Sequence, residues 1–215
     1  MVKQDQLWPD GFRFLFDDGL FQPSTDSFLL GSFPLLRKGL RVCDLGCGAG
    51  ALPLLLLRRE PALAVTGLEL DPTQAALALR NLRDNGLPGE IVPGDLRETA
   101  RALAAGSFDL VVSNPPWFPQ GTGDSGGEAR MEHACTLEEL CAAAGRLLKN
   151  GGRFALVHRP ERLADLLAAL RACGVEPKRL QMVQHGPQTP PSACLVEGVR
   201  QGRPGLKVLP ALISN

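Results

Sequence analysis

The chain contains no tyrosine, and aromatic residues fill only 5% of its 215 positions. Without tyrosine it cannot be a nicotinamide dehydrogenase that works through a Tyr-x-x-x-Lys pair. None of the six cysteines (Cys43, Cys47, Cys135, Cys141, Cys173, Cys194) stands in a Cys-x-x-Cys spacing. That argues against a zinc site, and several of them lie among apolar neighbours where a reduced thiol packs as a small hydrophobe. No metal is expected. No apolar run reaches the roughly 18 residues that cross a bilayer, and Met1 to Gln6 lacks the apolar core of a signal peptide. The expectation is a cytoplasmic chain with no membrane partner. Net charge is lacking as well, 23 Lys+Arg against 23 Asp+Glu. The balance is uneven, because residues 151–215 hold 9 basic and 4 acidic side chains. Such a basic C-terminal third suits phosphates, or is a solvated surface that offsets the acidic remainder.

With 44% hydrophobic residues the chain can bury a single-domain core. From Arg41 onward, short β-like runs alternate with longer helical patterns, the mark of an α/β fold with a mostly parallel sheet and crossover helices. The strand candidates are Arg41 to Asp44, Ala64 to Leu70, Glu90 to Pro93, Asp109 to Ser113, Arg153 to His158, Leu180 to Gln184 and Ala193 to Val199. The Gly186-Pro187-Gln188-Thr189-Pro190-Pro191 loop joins the last two as an antiparallel pair. Asp71-Pro72-Thr73 opens a helix running to Arg83 and stopping at Asn85-Gly86. Thr136 to Lys149 reads the same way, with Thr136 and Glu139 as a capping box and Asn150-Gly151-Gly152 as the stop. Residues 1–40 stand apart and hold six of the nine phenylalanines. Alternation over Phe12-Arg13-Phe14-Leu15-Phe16 and the Asp17-Asp18-Gly19 turn predict a hairpin, then Gln22 to Asp26 and a helix from Ser27 to Leu36. This segment is expected to cap a ligand pocket of the 41–215 domain.

Asp44-Leu45-Gly46-Cys47-Gly48-Ala49-Gly50 follows a predicted strand and leads into an apolar helix from Leu52 to Arg58. Its glycines lie where a chain turns sharply and a ligand approaches the backbone. The spacing is Gly-x-Gly-x-Gly and not the dinucleotide Gly-x-Gly-x-x-Gly. Glu69 ends the next strand, placed to accept from both hydroxyls of a ribose. Asp95 ends the third, placed to accept from an adenine amino group. Three acids on successive strand ends make a pocket for a cationic nucleoside. The fourth strand stops on Asn114-Pro115-Pro116-Trp117, a stiff turn that presents an amide, a carbonyl and a flat ring to a planar amino or amide group.

With these four segments in order, the chain resembles the class I S-adenosylmethionine-dependent methyltransferases. The resemblance implies a Rossmann-like doubly wound, seven-stranded methyltransferase sheet with helices on both faces, an antiparallel last strand and S-adenosyl-L-methionine as cofactor. Asp44, Gly46, Gly48, Gly50, Glu69, Asp95 and Asn114 would meet the cofactor. Asn114 and Pro115 would accept from both N–H groups of the substrate nitrogen, Pro116 would stiffen the turn, and Trp117 would stack on a flipped base. Adenine N6, guanine N2 of rRNA and the side-chain amide of a protein glutamine all fit that pair of acceptors. The glycine-rich stretch from Phe118 to Met131 is a candidate lid, with Arg130 and His133 as candidate phosphate or ribose contacts.

Gln22 to Gly31, His158 to Leu163, Glu176 to Leu180 and Pro204 to Pro210 extend the resemblance to the bacterial tRNA1(Val) adenine-N6-methyltransferases. Trp117 stands where that family commonly has tyrosine or phenylalanine, and Arg130-Met131-Glu132-His133 departs from its Arg-His-Glu order. The family implies methylation of an adenine beside a tRNA anticodon, with Thr25 and Asp26 at the cofactor or substrate mouth. Lys178 and Arg179 are then candidates for RNA phosphates. The alternatives are glutamine-N5 transfer, guanine-N2 transfer, or a cofactor-binding RNA module without turnover. Oligomeric state is not readable from the sequence.

Overall fold

The structure, a computed structural model, describes residues 1–17, 24–115 and 135–214. Strands β1 (Val2–Gln6) and β2 (Arg13–Asp17) form an antiparallel pair of their own. The main sheet contains β3 (Arg41–Leu45), β4 (Ala64–Glu69), β5 (Glu90–Pro93), β6 (Phe108–Ser113), β7 (Leu148–His158), β8 (Val175–Gln184) and β9 (Ala193–Arg200). Two short strands, β10 (Lys207–Val208) and β11 (Leu212–Ile213), add to the free side of β8. The order is β10-β8-β9-β7-β6-β3-β4-β5, with β9 antiparallel to both β7 and β8 and the other pairs parallel. All seven expected strands are present. The added pair is only two residues long per strand, too short for any period to reveal. From β3 the chain builds outward through β4 and β5 and then returns to place β6 on the other side of β3. That reversal opens a crevice at the carboxyl ends of β3 and β6, where open α/β sheets bind ligands.

Six helices are described: α1 (Thr25–Ser32), α2 (Ala51–Arg59), α3 (Pro72–Asp84), α4 (Leu96–Ala102), α5 (Leu137–Leu147) and α6 (Leu163–Ala172). They pack on both faces because alternate strand residues point opposite ways. Val42, Leu110 and Val112 join Leu30, Leu54, Leu56 and Leu77 of α1 to α3. Cys43, Val111, Phe154 and Leu156 join Ala100, Leu140, Leu147 and Leu166 of α4 to α6. Helix α2 is buried from Ala51 through Leu57, wedged between the sheet and its helix neighbours.

The expected caps hold. Asp71 accepts from Thr73 N at 2.7 Å and Gln74 N at 3.1 Å, and Thr136 and Glu139 close a reciprocal capping box at 3.2 and 2.9 Å. β8 starts at Val175, five residues ahead of the predicted Leu180, and two helices differ in their bounds. α1 runs from Thr25 to Ser32 where Ser27 to Leu36 was predicted, because Pro34 halts it. α5 yields to β7 at Leu148, ahead of the Asn150-Gly151-Gly152 stop, which lies instead in an irregular stretch where the pairing register shifts.

The N-terminal hairpin has a different turn from the one predicted. β2 pairs backward with Val2–Gln6 through residues 7–12, where Asp10 adopts φ 58° beside Gly11; Asp17 ends the second strand. Asn81 of α3 and Asn85, the residue that caps its C-terminal end, replace a neighbouring strand for β2. Asn81 accepts from Leu15 N at 2.8 Å and donates to Leu15 O at 2.9 Å. Asn85 accepts from Arg13 N at 2.9 Å and donates to Arg13 O at 2.8 Å. Asn81 also donates to Ala49 O at 2.8 Å, joining the hairpin to the glycine loop.

Candidate cofactor and catalytic cleft

The loop after β3 is shaped by backbone that only glycine adopts easily: φ is 78° at Gly46, 54° at Gly48 and 87° at Gly50. Gly46 N and Cys47 N both donate to Leu68 O, at 2.9 and 3.0 Å, pinning the loop to β4. A Cβ built on Gly46 or Gly48 meets no described atom within 4 Å, so both glycines face open space. Gly50 has another use, since a Cβ there would lie 3.1 Å from that of Ala78, and its absence lets α2 and α3 approach.

Glu69, half-buried at the end of β4, braces this loop. Its Oε2 accepts from Gly48 N at 2.7 Å and its Oε1 from Asp71 N at 2.9 Å. Each carboxylate oxygen can take a second donor, which leaves capacity for a pair of ribose hydroxyls. Asp44 is 1% exposed, and its Oδ1 has no partner among the described residues. Burial, and then the charge of Glu69, push its carboxyl well above the usual range. A positively charged ligand relieves both penalties. Cys47 lies between these acids; burial first, then their charges, raise its thiol, so it stays neutral and packs against Gly67.

On the other side of the crevice, Ser113 Oγ donates to Leu45 O at 2.7 Å and ties the end of β6 to the end of β3. The next residue, Asn114, is 8% exposed and donates from Nδ2 to Ser27 Oγ at 3.0 Å. Asp44, Gly46 to Ala49, Ala51, Leu52 and Asn114 line one cleft, completed by Phe14 of the hairpin and Ser27 of α1. Its enclosed part measures about 30 Å³, enough for a water but not a nucleoside. The side that Gly46 and Gly48 leave clear is open beside it. An orphaned buried carboxylate, an open glycine cradle and a braced acid at the ribose position together fit a cationic adenosyl ligand.

Pro115 closes the described part of the turn; Pro116, Trp117, Arg130 and His133 fall outside the described residues. Asp95 caps α4 and holds Arg97: Arg97 N and Nε donate to its Oδ1 at 2.9 Å each, Nε to Oδ2 at 3.0 Å, and Nη2 also contacts Oδ2. The Arg97 hydrogen bonds hold this carboxyl below its usual range.

Arg179 has partners within the fold. Its guanidinium lies 4.4 Å from the Phe33 ring centroid, donates to Phe33 O at 3.4 Å and approaches Glu197 Oε1 at 3.3 Å. It anchors the end of α1 to the sheet. Lys178 donates to Arg203 O at 3.1 Å. Thr25 and Asp26 form the first turn of α1, with Thr25 exposed and Asp26 half-buried. Burial raises the Asp26 carboxyl, against a hydrogen bond from Ser24 and the charges of Arg159 and His185. Ser27 and Phe14 lie in the segment expected to cap the pocket but were not singled out; the Ser27 bond to Asn114 spans 87 residues, and no local pattern marks it.

Comparison with known proteins agrees with this geometry. Residues 23–171 match the family model "Methyltransferase small domain". A tRNA1(Val) (adenine(37)-N6)-methyltransferase of Porphyromonas gingivalis is 33% identical over 184 residues, 80% of this chain and 72% of that protein. A 4-amino-L-phenylalanine/4-methylamino-L-phenylalanine methyltransferase of Streptomyces pristinaespiralis is 36% identical over 185 residues, 76% of this chain but only 62% of that protein. Among solved structures, a predicted O-methyltransferase from Agrobacterium tumefaciens superposes with a TM-score of 0.71 at 24% identity, over 88% of this chain and 87% of that one, a likeness of fold.

Proposed function

The chain belongs to the methyltransferase small-domain family, and on that premise we propose that it moves a methyl group from S-adenosyl-L-methionine to adenine N6 in tRNA, of the valine anticodon-loop type. The observation that carries this reading is the buried Asn114 amide, fixed at the end of β6 beside the glycine loop.

Asp44 and the Gly46 and Gly48 backbone would hold the methionine part of the cofactor, and Glu69 would take its ribose hydroxyls. When bound, the cofactor supplies an electrophilic methyl on a sulfonium. An exocyclic amino group is a weak nucleophile because its lone pair is delocalised into the ring. Asn114 Oδ1 and Pro115 O each accept one of its two hydrogens, which favours a pyramidal nitrogen with its lone pair aimed along the transfer line. The nitrogen sheds its proton after transfer, so no strong base is needed. Trp117 is the stacking surface for the flipped base.

A second reading is favoured by one observation: the Streptomyces relative is named for an amino group on a phenyl ring. The same acceptors serve a free aromatic amine. The test is methyl transfer from labelled cofactor to bulk tRNA from a strain lacking the endogenous enzyme, set beside 4-amino-L-phenylalanine. Label in tRNA alone supports the first reading, and label in the small amine alone replaces it with the second.

A further inference from the structure

A thiol answers to oxidants when it can ionise, when the oxidant reaches it, and when a second thiol stands close enough to trap the product. The six cysteines differ by these tests. Cys43, Cys47, Cys141 and Cys194 are buried, whereas Cys135 and Cys173 are half-buried. Burial pushes up the thiols of Cys43, Cys47, Cys135 and Cys194, the last two to about 12. Cys173 alone is shifted down: its hydrogen bond with the Cys141 thiol, the Val175 N–H and the charge of Arg200 outweigh desolvation. The same bond, and then burial, raise Cys141.

The fold builds this pair of sulfurs. Cys141 and Gly145 lie four residues apart on α5 and so share one face. Cys173, at the C-terminal end of α6, packs on that face. A Cβ added to Gly145 would lie 2.7 Å from Cys173 O and 3.3 Å from Cys173 Sγ, so the glycine admits the contact. In its protonated form Cys173 Sγ donates to Leu170 O at 3.1 Å. At the start of β8, Val175 pairs with Arg200, whose Nη1 donates to Cys173 O. Gly174, with φ 76°, leaves room for that guanidinium, because a Cβ there would collide with Arg200 Nη1.

We propose that Cys173 and Cys141 are a peroxide-responsive thiol pair, Cys173 the attacking sulfur and Cys141 the resolving one. Exposure fixes the order, since Cys173 is half-buried and Cys141 is 0% exposed. The Cys173 thiolate attacks an oxygen of hydrogen peroxide, the O–O bond breaks, and the departing hydroxide takes up a proton to leave as water. Cys173 is then a sulfenic acid. The Cys141 sulfur displaces its hydroxyl, which leaves as water with the Cys141 proton as the S–S bond forms. Two thiols and one peroxide give one disulfide and two waters, and a dithiol reverses the change. Neither residue lines the catalytic cleft, so the proposal stands apart from the choice of methyl acceptor.

The test treats the fully reduced chain with hydrogen peroxide and maps its peptides by mass spectrometry without reductant, beside the variant C141S. The expected result is a loss of about 2 Da, a link between the Cys141 and Cys173 peptides, and return to the starting mass with dithiothreitol. In C141S the sulfenic acid at Cys173 should persist and be captured by dimedone. With iodoacetamide, the reduced parent should be alkylated at Cys173 roughly tenfold faster than at Cys135, which is also half-buried. A link between any other two cysteines, or faster alkylation at Cys135, overturns the proposal. So does a parent that keeps its thiols while its methionines become sulfoxides, or a dimedone adduct in C141S at a cysteine other than Cys173. The link and the alkylation rates are read on the parent, so they decide the matter even where C141S does not fold.

Discussion

Asp44 shows how a single residue trades stability for binding. Its folded carboxyl is raised above the ordinary value of 3.8, so the fold prefers the protonated form. The stability this group contributes is complete below its unfolded pKa and is lost as pH rises through the folded value. Asp44→Asn should therefore stabilise the ligand-free protein by on the order of 1 kcal/mol at neutral pH while weakening cofactor binding at least tenfold. Thermal melts with and without cofactor check both halves, and the melting shift caused by the cofactor should widen with rising pH in the parent but not in the variant. Asn114→Ala should abolish transfer and leave cofactor affinity within about threefold, as isothermal titration would show; equal loss of both would make Asn114 structural. At this scale the sequence was informative where chemistry is carried by neighbours in the chain. Asp44 to Gly50 and Asn114-Pro115 could be read directly, because the turn and the residues that use it are contiguous. Ser27 could not be read, because its partner is 87 positions away, and the capping role of Asp95 was not distinguished because a strand-end acid serves equally well as a helix cap.

Among the elements, α3 does more than cross over. Its Asn81 and the capping Asn85 replace a neighbouring strand for β2, and Asn81 also holds the glycine loop through Ala49. Asn81→Ala removes three hydrogen bonds from a site 1% exposed, and should cost roughly 2–4 kcal/mol and reduce cofactor affinity, read by denaturant melts and titration. Arg179 ties the end of α1 to the sheet. Arg179→Ala should destabilise the fold by roughly 1–2 kcal/mol and slow turnover, yet leave the salt dependence of RNA affinity unchanged; a flatter slope would return it to the interface. Strands and capped helices were legible because period and caps are local. The hairpin partner was not, because Val2–Gln6 is polar and exposed and carries no buried face to alternate.

Over the whole molecule, part of the charge division visible in the sequence is answered within the fold. Arg153 and Arg179 meet buried Glu197, Arg162 meets Asp165, Arg171 meets Glu176, and Arg200 binds Cys173 O. The catalytic cleft, by contrast, is specified by the sheet itself. The chain reverses at β3, and the reversal brings the glycine loop, Glu69 and Asn114 to one edge. What that edge methylates is answered most directly by nucleoside mass spectrometry of tRNA incubated with the protein and labelled S-adenosyl-L-methionine. The account predicts labelled N6-methyladenosine in the parent digest and none with Asn114→Ala. Label confined to protein or to another nucleoside, or N6-methyladenosine that persists in Asn114→Ala, would contradict it.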